Sequence, residues 1–238
     1  MKKKYELKKK YELTEKMYFM GRTLYRIKAL KDFSNVVAGE LGGWIEKEEN
    51  LSLEGNAWVA DDAKVYGDAL ISNNALVSDN AIVSGNAYIH SNAHIFEDAE
   101  IYGNVIVDDD ARVYGEAKIY DDAVIYGDAR IYGNACIRNV AIGDNVEVFG
   151  DAVVHGEAEL VCDAKVGKQS DYIVFKNFWG SGRYFTWIRS NNMWKVGCFY
   201  GTGEELIKKA YQDSEKSGRE YERVVRYVES ILADENKR

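Results

Sequence analysis

The chain contains no proline in 238 residues, where average usage near 5% would place about twelve. Whatever punctuates it must therefore be something else. Histidine is almost as scarce: His90, His94 and His155 are the whole set. Cysteine appears only as Cys136, Cys162 and Cys198, an odd number without metal-binding spacing. That argues against a disulfide framework and for a reducing compartment. No stretch is long or apolar enough to cross a membrane, and none reads as a secretory signal, so the expected location is cytoplasmic. There is no phosphate loop, dinucleotide fingerprint, zinc spacing or nucleophile elbow, and no cofactor or metal is expected.

What the chain does have is a six-residue rhythm. Alanine occupies fourteen of the fifteen positions from 57 to 141 taken in steps of six, Val105 being the exception. A branched aliphatic follows two residues after each small residue, from Val59 and Val65 to Ile131 and Ile137. The register then slips by one, and Val140–Asp144 reads as a five-residue unit. The aliphatic series resumes as Ile142, Val148, Val154, Leu160 and Val166, making nineteen units. Asn, Asp and Gly fill the two positions before the alanines, where they tolerate bent backbone and bond to it locally. A period of six is neither helical nor a plain amphipathic strand. It fits short strands joined by tight bends, with one aliphatic per unit inward and alanine filling each narrow corner.

The pattern of aliphatic, any residue, Gly/Asp/Asn, Asp/Asn, Ala, any residue resembles the hexapeptide repeat of left-handed parallel β-helices. The resemblance covers residues 54–167 and implies three units per triangular turn, hence about six turns. The expected fold is mainly β: an N-terminal tail and cap over 1–53, the left-handed β-helix over 54–167, and a small α+β module over 168–238. Trp44, Ile45, Leu41 and Leu24 are the candidate core of the cap, which must cover the open first turn. The opening run, KKKYELKKKYEL, is a six-residue segment written twice and reads as a duplication with a solvated charge run. In the last module, residues 172–178, 183–189 and 193–200 read as three short strands. Thr202 and Glu205 form a capping box for a helix to about Tyr211, and a second helix runs from about Arg219 to Ala233.

The stretches LYRIKALKDF, AGELGGWIE and NLS near the start resemble the N-terminal piece of hexapeptide-repeat proteins common in bacteriophage and prophage genomes. GSGRYFTWIRSNNMWKVGCFYGTGEEL resembles a C-terminal module of the same group. Some members are labelled acyltransferases by fold analogy, and fold alone does not establish chemistry.

Charge is unevenly spread. Residues 1–50 sum to +4, residues 51–167 to −15 and residues 168–238 to +3. An acidic coil argues against nucleic acid along the solenoid, since counterion release needs Lys and Arg. Sorting outward positions by every third unit places Phe96, Tyr114, Tyr132 and Phe149 on a first face. Tyr66, Tyr102, Tyr120, Arg138 and His155 fall on a second. Leu70, Tyr88, Ile106 and Val124 fall on a third, one residue before the aliphatic. The first and third ladders are the candidate subunit contacts, because contiguous exposed apolar residues usually mark contacts. A homo-oligomer is expected; the resemblance implies a trimer, with a dimer as the alternative.

Three functional readings follow. The leading one is a non-catalytic, oligomeric binding scaffold. On the resemblance to phage proteins, it would act against host defence by blocking a defence protein or sequestering a nucleotide-like signal. Its candidate ligand residues are Trp179, Ser181, Arg183, Trp187 and Lys195, where a guanidinium and aromatic faces suit a phosphate-bearing ligand. The alternative is an acyltransferase using acyl-CoA, with His90, His94 or His155 as base. No loop interrupts the units to support it, and a solvated surface role is the ordinary one for each histidine. The third is a structural assembly component. The run Asp108–Asp110 reads as a solvated turn, with a structural calcium site as the alternative.

Overall fold

A six-residue period closes into a coil only if each strand is short and each bend tight. In the computed structural model, which describes residues 9–178, 180 and 182–235, nineteen strands of two or three residues run from Trp58–Val59 to Lys165–Val166. Each pairs in parallel with the strand three units on. His94–Ile95, for example, lies between Leu76–Val77 and Arg112–Val113. Three parallel sheets result, forming a three-sided solenoid. The inward aliphatics and the corner alanines are buried along its whole length. Alternation along each strand then leaves the residues on either side of the aliphatic facing outward.

The solenoid has seven turns rather than six, because it begins before the period does. The strand β3 (Leu41–Ile45) pairs in parallel with Lys64–Val65, and Leu51 bridges Ile71. Ile45 and Leu51 thus act as two further rungs, and twenty-one rungs make seven turns. Gly42 and Gly43 explain why the alanine period is absent there. A Cβ on Gly43 would lie 2.6 Å from the Ala63 carbonyl, and one on Gly42 2.5 Å from that of Val59. Leu24 and Ile45 are core residues as expected, but Leu41 is 47% exposed. It starts the strand, outside the part that lies over the first turn.

A hairpin of β1 (Tyr11–Phe19) and β2 (Arg22–Ala29) extends the second face past β3. Just ahead of it, Lys10 is fully buried. Its ammonium donates to the carbonyls of Ser52, Gly55 and Ala57 at 3.4, 3.3 and 2.5 Å, and lies 4.6 Å from the Phe33 ring centre. These carbonyls belong to the first turn, where no earlier strand supplies N–H donors. One buried lysine thus closes the open end. Burial, with Lys31 nearby, lowers its pKa to about 8. The rest of the duplicated run, residues 1–8, lies outside the described residues.

The register slip sits one unit earlier than the alanine spacing indicates. Val140 fills the corner and is 4% exposed, whereas Ala141 is an outward residue paired with Val124. The short unit is therefore 135–139, with Asn139 alone making the bend in left-handed backbone at φ 52°. The aliphatic rungs stay in line through this deletion, Ile142 following Ile125. The missing residue leaves a hollow of about 220 Å³ lined by Asp122, Asn139, Val140, Glu157, Glu159 and Tyr184.

After the last rung the chain folds into a four-stranded antiparallel sheet: Tyr172–Lys176, Tyr184–Ile188, Met193–Val196 and Phe199–Gly201, in sequence order. The run expected as one strand over 193–200 is two, because Gly197 turns it at φ 54°. One side of this sheet closes the far end of the solenoid. Tyr172 and Ile188 join the main core. The Thr186 hydroxyl accepts from the Glu159 N–H at 3.1 Å, and the Ser190 hydroxyl from the Lys165 N–H at 2.8 Å. The other side, with Phe185, Trp187, Trp194 and Val196, packs on Leu206, Ile207, Val225 and Val228. Those residues belong to α1 (Gly203–Asp213) and α2 (Glu215–Glu235). Thr202 and Glu205 form the expected capping box at the start of α1. Among the described residues no helix is long and apolar enough to cross a membrane.

Candidate functional site

The outward residues decide what this solenoid can meet. On the first face, Phe96, Tyr114, Tyr132 and Phe149 stack rung upon rung. Their centres are 4.8, 5.1 and 5.6 Å apart, with planes within 16° of parallel. His94 covers one end of the stack, 4.3 Å from Phe96. At the other end Gly167 makes room, since a Cβ there would lie 2.8 Å from the Phe149 ring. Each ring shields its neighbours, so all four are only partly exposed. On the second face Tyr102 and Tyr120 stack at 5.0 Å, Arg138 lies over Tyr120, and Tyr66 meets Phe19 of the hairpin.

The third face differs. Leu70, Tyr88, Ile106 and Val124 occupy consecutive rungs in register. The aliphatic Leu70, Ile106 and Val124 do not cover one another as stacked rings do, and Tyr88 and Ile106 each remain 37% exposed. His90 stacks on Tyr88 at 4.3 Å. Its Nδ1 is 2.9 Å from the Asp108 carboxylate, which also accepts the Ser91 hydroxyl at 2.5 Å. Burial would raise the Asp108 pKa. The hydrogen bonds from Ser91 and the Asp109 N–H, with His90 alongside, outweigh it and hold the carboxyl below its ordinary value. Asp108 thereby orients the imidazole and directs Nε2 away from the carboxylate. This is how a carboxylate sets a histidine as base.

The other two histidines stand elsewhere. His94, on the first face, has Nε2 3.1 Å from the Ser78 hydroxyl. Burial, reinforced by Arg112 and opposed by Asp79, lowers its pKa below the ordinary histidine value. His155, on the second face, lies at the junction with the C-terminal sheet. Its N–H donates to the Tyr172 hydroxyl at 3.1 Å, and its ring approaches Gln169. Three histidines on three faces cannot share one reacting centre within a single chain. The three carboxylates of 108–110 likewise diverge. Asp109 accepts from the Gly127 N–H, and Asp110 from the Asn92 amide.

Of the candidate ligand residues of the C-terminal module, the described ones, Arg183, Trp187 and Lys195, do not converge. Trp179 and Ser181 lie outside the described residues. Trp187 is 1% exposed in the sheet–helix core, with its indole N–H bonded to Asn192. Lys195 is on the opposite side of the sheet, paired with Glu159 at 3.0 Å. Arg183 lines the helix side, in clefts of about 110 and 300 Å³ shared with Asp213 and Tyr221. Burial drew Trp187 inward, and the acidic solenoid end drew Lys195 the other way.

Two features escaped the reading of the sequence. No local signal separates Lys10 from the lysines before it. The His90–Asp108 pair does carry one: a separation of eighteen residues is one full turn, which brings the two residues side by side.

No family model matches the chain. A stretch of 38 residues is 50% identical to an uncharacterized acetyltransferase, YdcK, of Escherichia coli K12. It covers 16% of this chain and 12% of that protein. Together with the three-sided coil, this short likeness fits a hexapeptide-repeat β-helix.

Proposed function

We propose that the chain is a non-catalytic binding scaffold that works as a homo-oligomer, with the third face of the solenoid as its subunit contact. The ladder Leu70–Tyr88–Ile106–Val124 carries this reading, because it is an in-register row whose aliphatic members stacking does not cover. Apolar area of this kind is stabilised by removal from water, and closed symmetric association is the usual way a soluble chain achieves it. The resemblance to β-helix proteins favours three copies. The phage-type resemblance of both end segments supplies the setting, a host cytoplasm in which the oligomer blocks a defence protein or sequesters a nucleotide-like signal. Light scattering on purified wild type and Ile106→Lys tests the contact, with Val153→Lys on the second face as control. Dissociation by the first variant alone supports it. Identical masses for all three proteins remove it.

A second reading is favoured by the oriented His90–Asp108 pair and by the acetyltransferase name of the partial relative. In acyl transfer, His90 Nε2 would take the proton of an attacking hydroxyl or amine. The thioester carbon–sulfur bond breaks, and the thiol leaves with that proton. Thiol release from acetyl-CoA that disappears in His90→Gln and falls in Asp108→Asn would establish it. No release above background in the wild type with a panel of amine and hydroxyl acceptors would exclude it.

A further inference from the structure

Among the six basic residues between 51 and 167, four have a partner. Lys64 donates to the Asp62 carbonyl at 2.8 Å. Lys118 pairs with Glu100 at 3.4 Å, Arg138 with Asp121 at 3.8 Å and Lys165 with Glu147 at 3.2 Å. The remaining two, Arg112 and Arg130, have no carboxylate or carbonyl within bonding distance among the described residues, and they are adjacent to each other. They sit on successive rungs of the first face, directly in register, and both are exposed. Like charges directly opposite on neighbouring strands repel. In a segment whose net charge is −15, carboxylates are plentiful, yet none is turned to this pair. Glu147 is next in the column, but it is held by Lys165 and by the Tyr132 hydroxyl at 3.3 Å. On the other side stands His94, held by Ser78.

We propose that Arg112 and Arg130 form a binding site for the phosphate group of a small ligand, bridged between the two guanidiniums. Strand spacing sets their backbones about 4.8 Å apart, close enough for the two planar donor forks to reach one oxyanion. Guanidinium–phosphate pairs are the strong, bidentate kind. A dianionic phosphate neutralises both charges, which a single carboxylate does not. Tyr114 lies two residues after Arg112, just past the end of its strand and on the same face, within the electrostatic reach of both arginines. Burial holds its phenol above its ordinary pKa, so the hydroxyl keeps its proton and can donate to the same anion. The surrounding carboxylates disfavour a nucleic-acid backbone, which needs a run of cations, and leave a single small anion as the fitting partner. The site lies on a different face from the proposed subunit contact and from the His90–Asp108 pair, so it stands or falls independently of both.

The test is calorimetric titration of the full chain with inorganic phosphate and inorganic pyrophosphate at low salt. Wild type is compared with Arg112→Gln, Arg130→Gln, the double variant and Arg138→Gln, with circular dichroism confirming each fold. Pyrophosphate is expected to bind the wild type and Arg138→Gln alike. It should weaken about tenfold or more in each single variant and vanish in the double, as loss of one charge-assisted fork requires. Without anion, Arg112→Gln should melt at a higher temperature than wild type, because the repulsion is gone while Glu147 remains beside Arg130. Wild type that ignores millimolar pyrophosphate, or variants that bind it equally well, would overturn the site. A change of subunit number in the arginine variants with pyrophosphate binding intact would also overturn it, by assigning the pair to a contact between copies.

Discussion

Raising the pH should stabilise this protein before it destabilises it, through the buried lysine that closes the first turn. Lys10 is inaccessible to water, and its pKa is lowered from 10.5 to about 8 by burial and then by Lys31. Below pH 8 the folded and unfolded chains both hold the proton. Between 8 and 10.5 the unfolded chain binds it more tightly than the folded one, so stability rises with pH. From pH 7 to pH 10 the linkage amounts to at most about 2.5 kcal/mol. Tyr11 acts in the opposite sense. Burial, with Glu48 and Glu49, raises its pKa above 10.0, and its hydroxyl donates to the carbonyls of Glu48 and Leu51. Above pH 10 the unfolded chain loses that proton while the folded chain keeps it, and stability falls. Tyr102, Tyr114, Tyr120, Tyr126, Tyr132, Tyr172, Tyr200 and Tyr211 are raised in the same sense, so the expected curve peaks about one unit lower, near pH 9. Urea unfolding at a series of pH values, for wild type and Lys10→Met, reads it. Met retains most of the apolar stem and cannot titrate. At pH 7 the variant leaves three carbonyls without their donor, about 1–3 kcal/mol for each one left unsatisfied. Against this, it removes a desolvation cost of up to about 3.4 kcal/mol. The two oppose each other, so the slope with pH is the discriminating quantity. A Lys10→Met protein that shows the same rise between pH 7 and pH 9 as wild type would refute the role given to Lys10.

Further outcomes follow from the repeat itself. Ile101→Ala empties a rung that is fully buried and should cost about 2–5 kcal/mol in urea unfolding. Gly85→Ala places a Cβ 2.5 Å from the Gly103 N–H in left-handed backbone, φ 73°, and should cost about 1–3 kcal/mol by the same assay. Tyr114→Ala removes the ring stacked on both Phe96 and Tyr132 and should cost about 1–3 kcal/mol while leaving the solenoid's circular dichroism intact. Thr202→Ala removes the cap of α1 and should lower stability by about 1 kcal/mol.

The solenoid was legible because one rule acts at every rung. Ile95, Ile101 and Val107 must point inward and Ala93, Ala99 and Val105 must fit a corner, so the period writes the fold directly. Where a different rule takes over, the reading failed. Ile45 and Leu51 are rungs without corner alanines, because Gly42 and Gly43 lie against carbonyls before the first and the 3-10 turn Glu48–Asn50 precedes the second, so one turn went uncounted. At the slip, Ala141 kept the alanine spacing, but Val140 took the corner, since backbone register follows the inward Ile142. Site residues were harder, because they depend on where side chains meet across turns. The stacked rings were visible by counting eighteen residues, and the same count would have paired His90 with Asp108. Trp187 and Lys195 could not be separated by spacing alone, because only the packing of the sheet between solenoid and helices decides which side each takes.

The most direct test of the scaffold account is native mass spectrometry of the protein purified under non-denaturing conditions, alongside Ile106→Lys. The account predicts a discrete closed oligomer for the wild type and monomers for the variant, which still folds because Ile106 is exposed in the single chain. A wild type that is monomeric at micromolar concentration, or a variant with an unchanged oligomer mass, would contradict it.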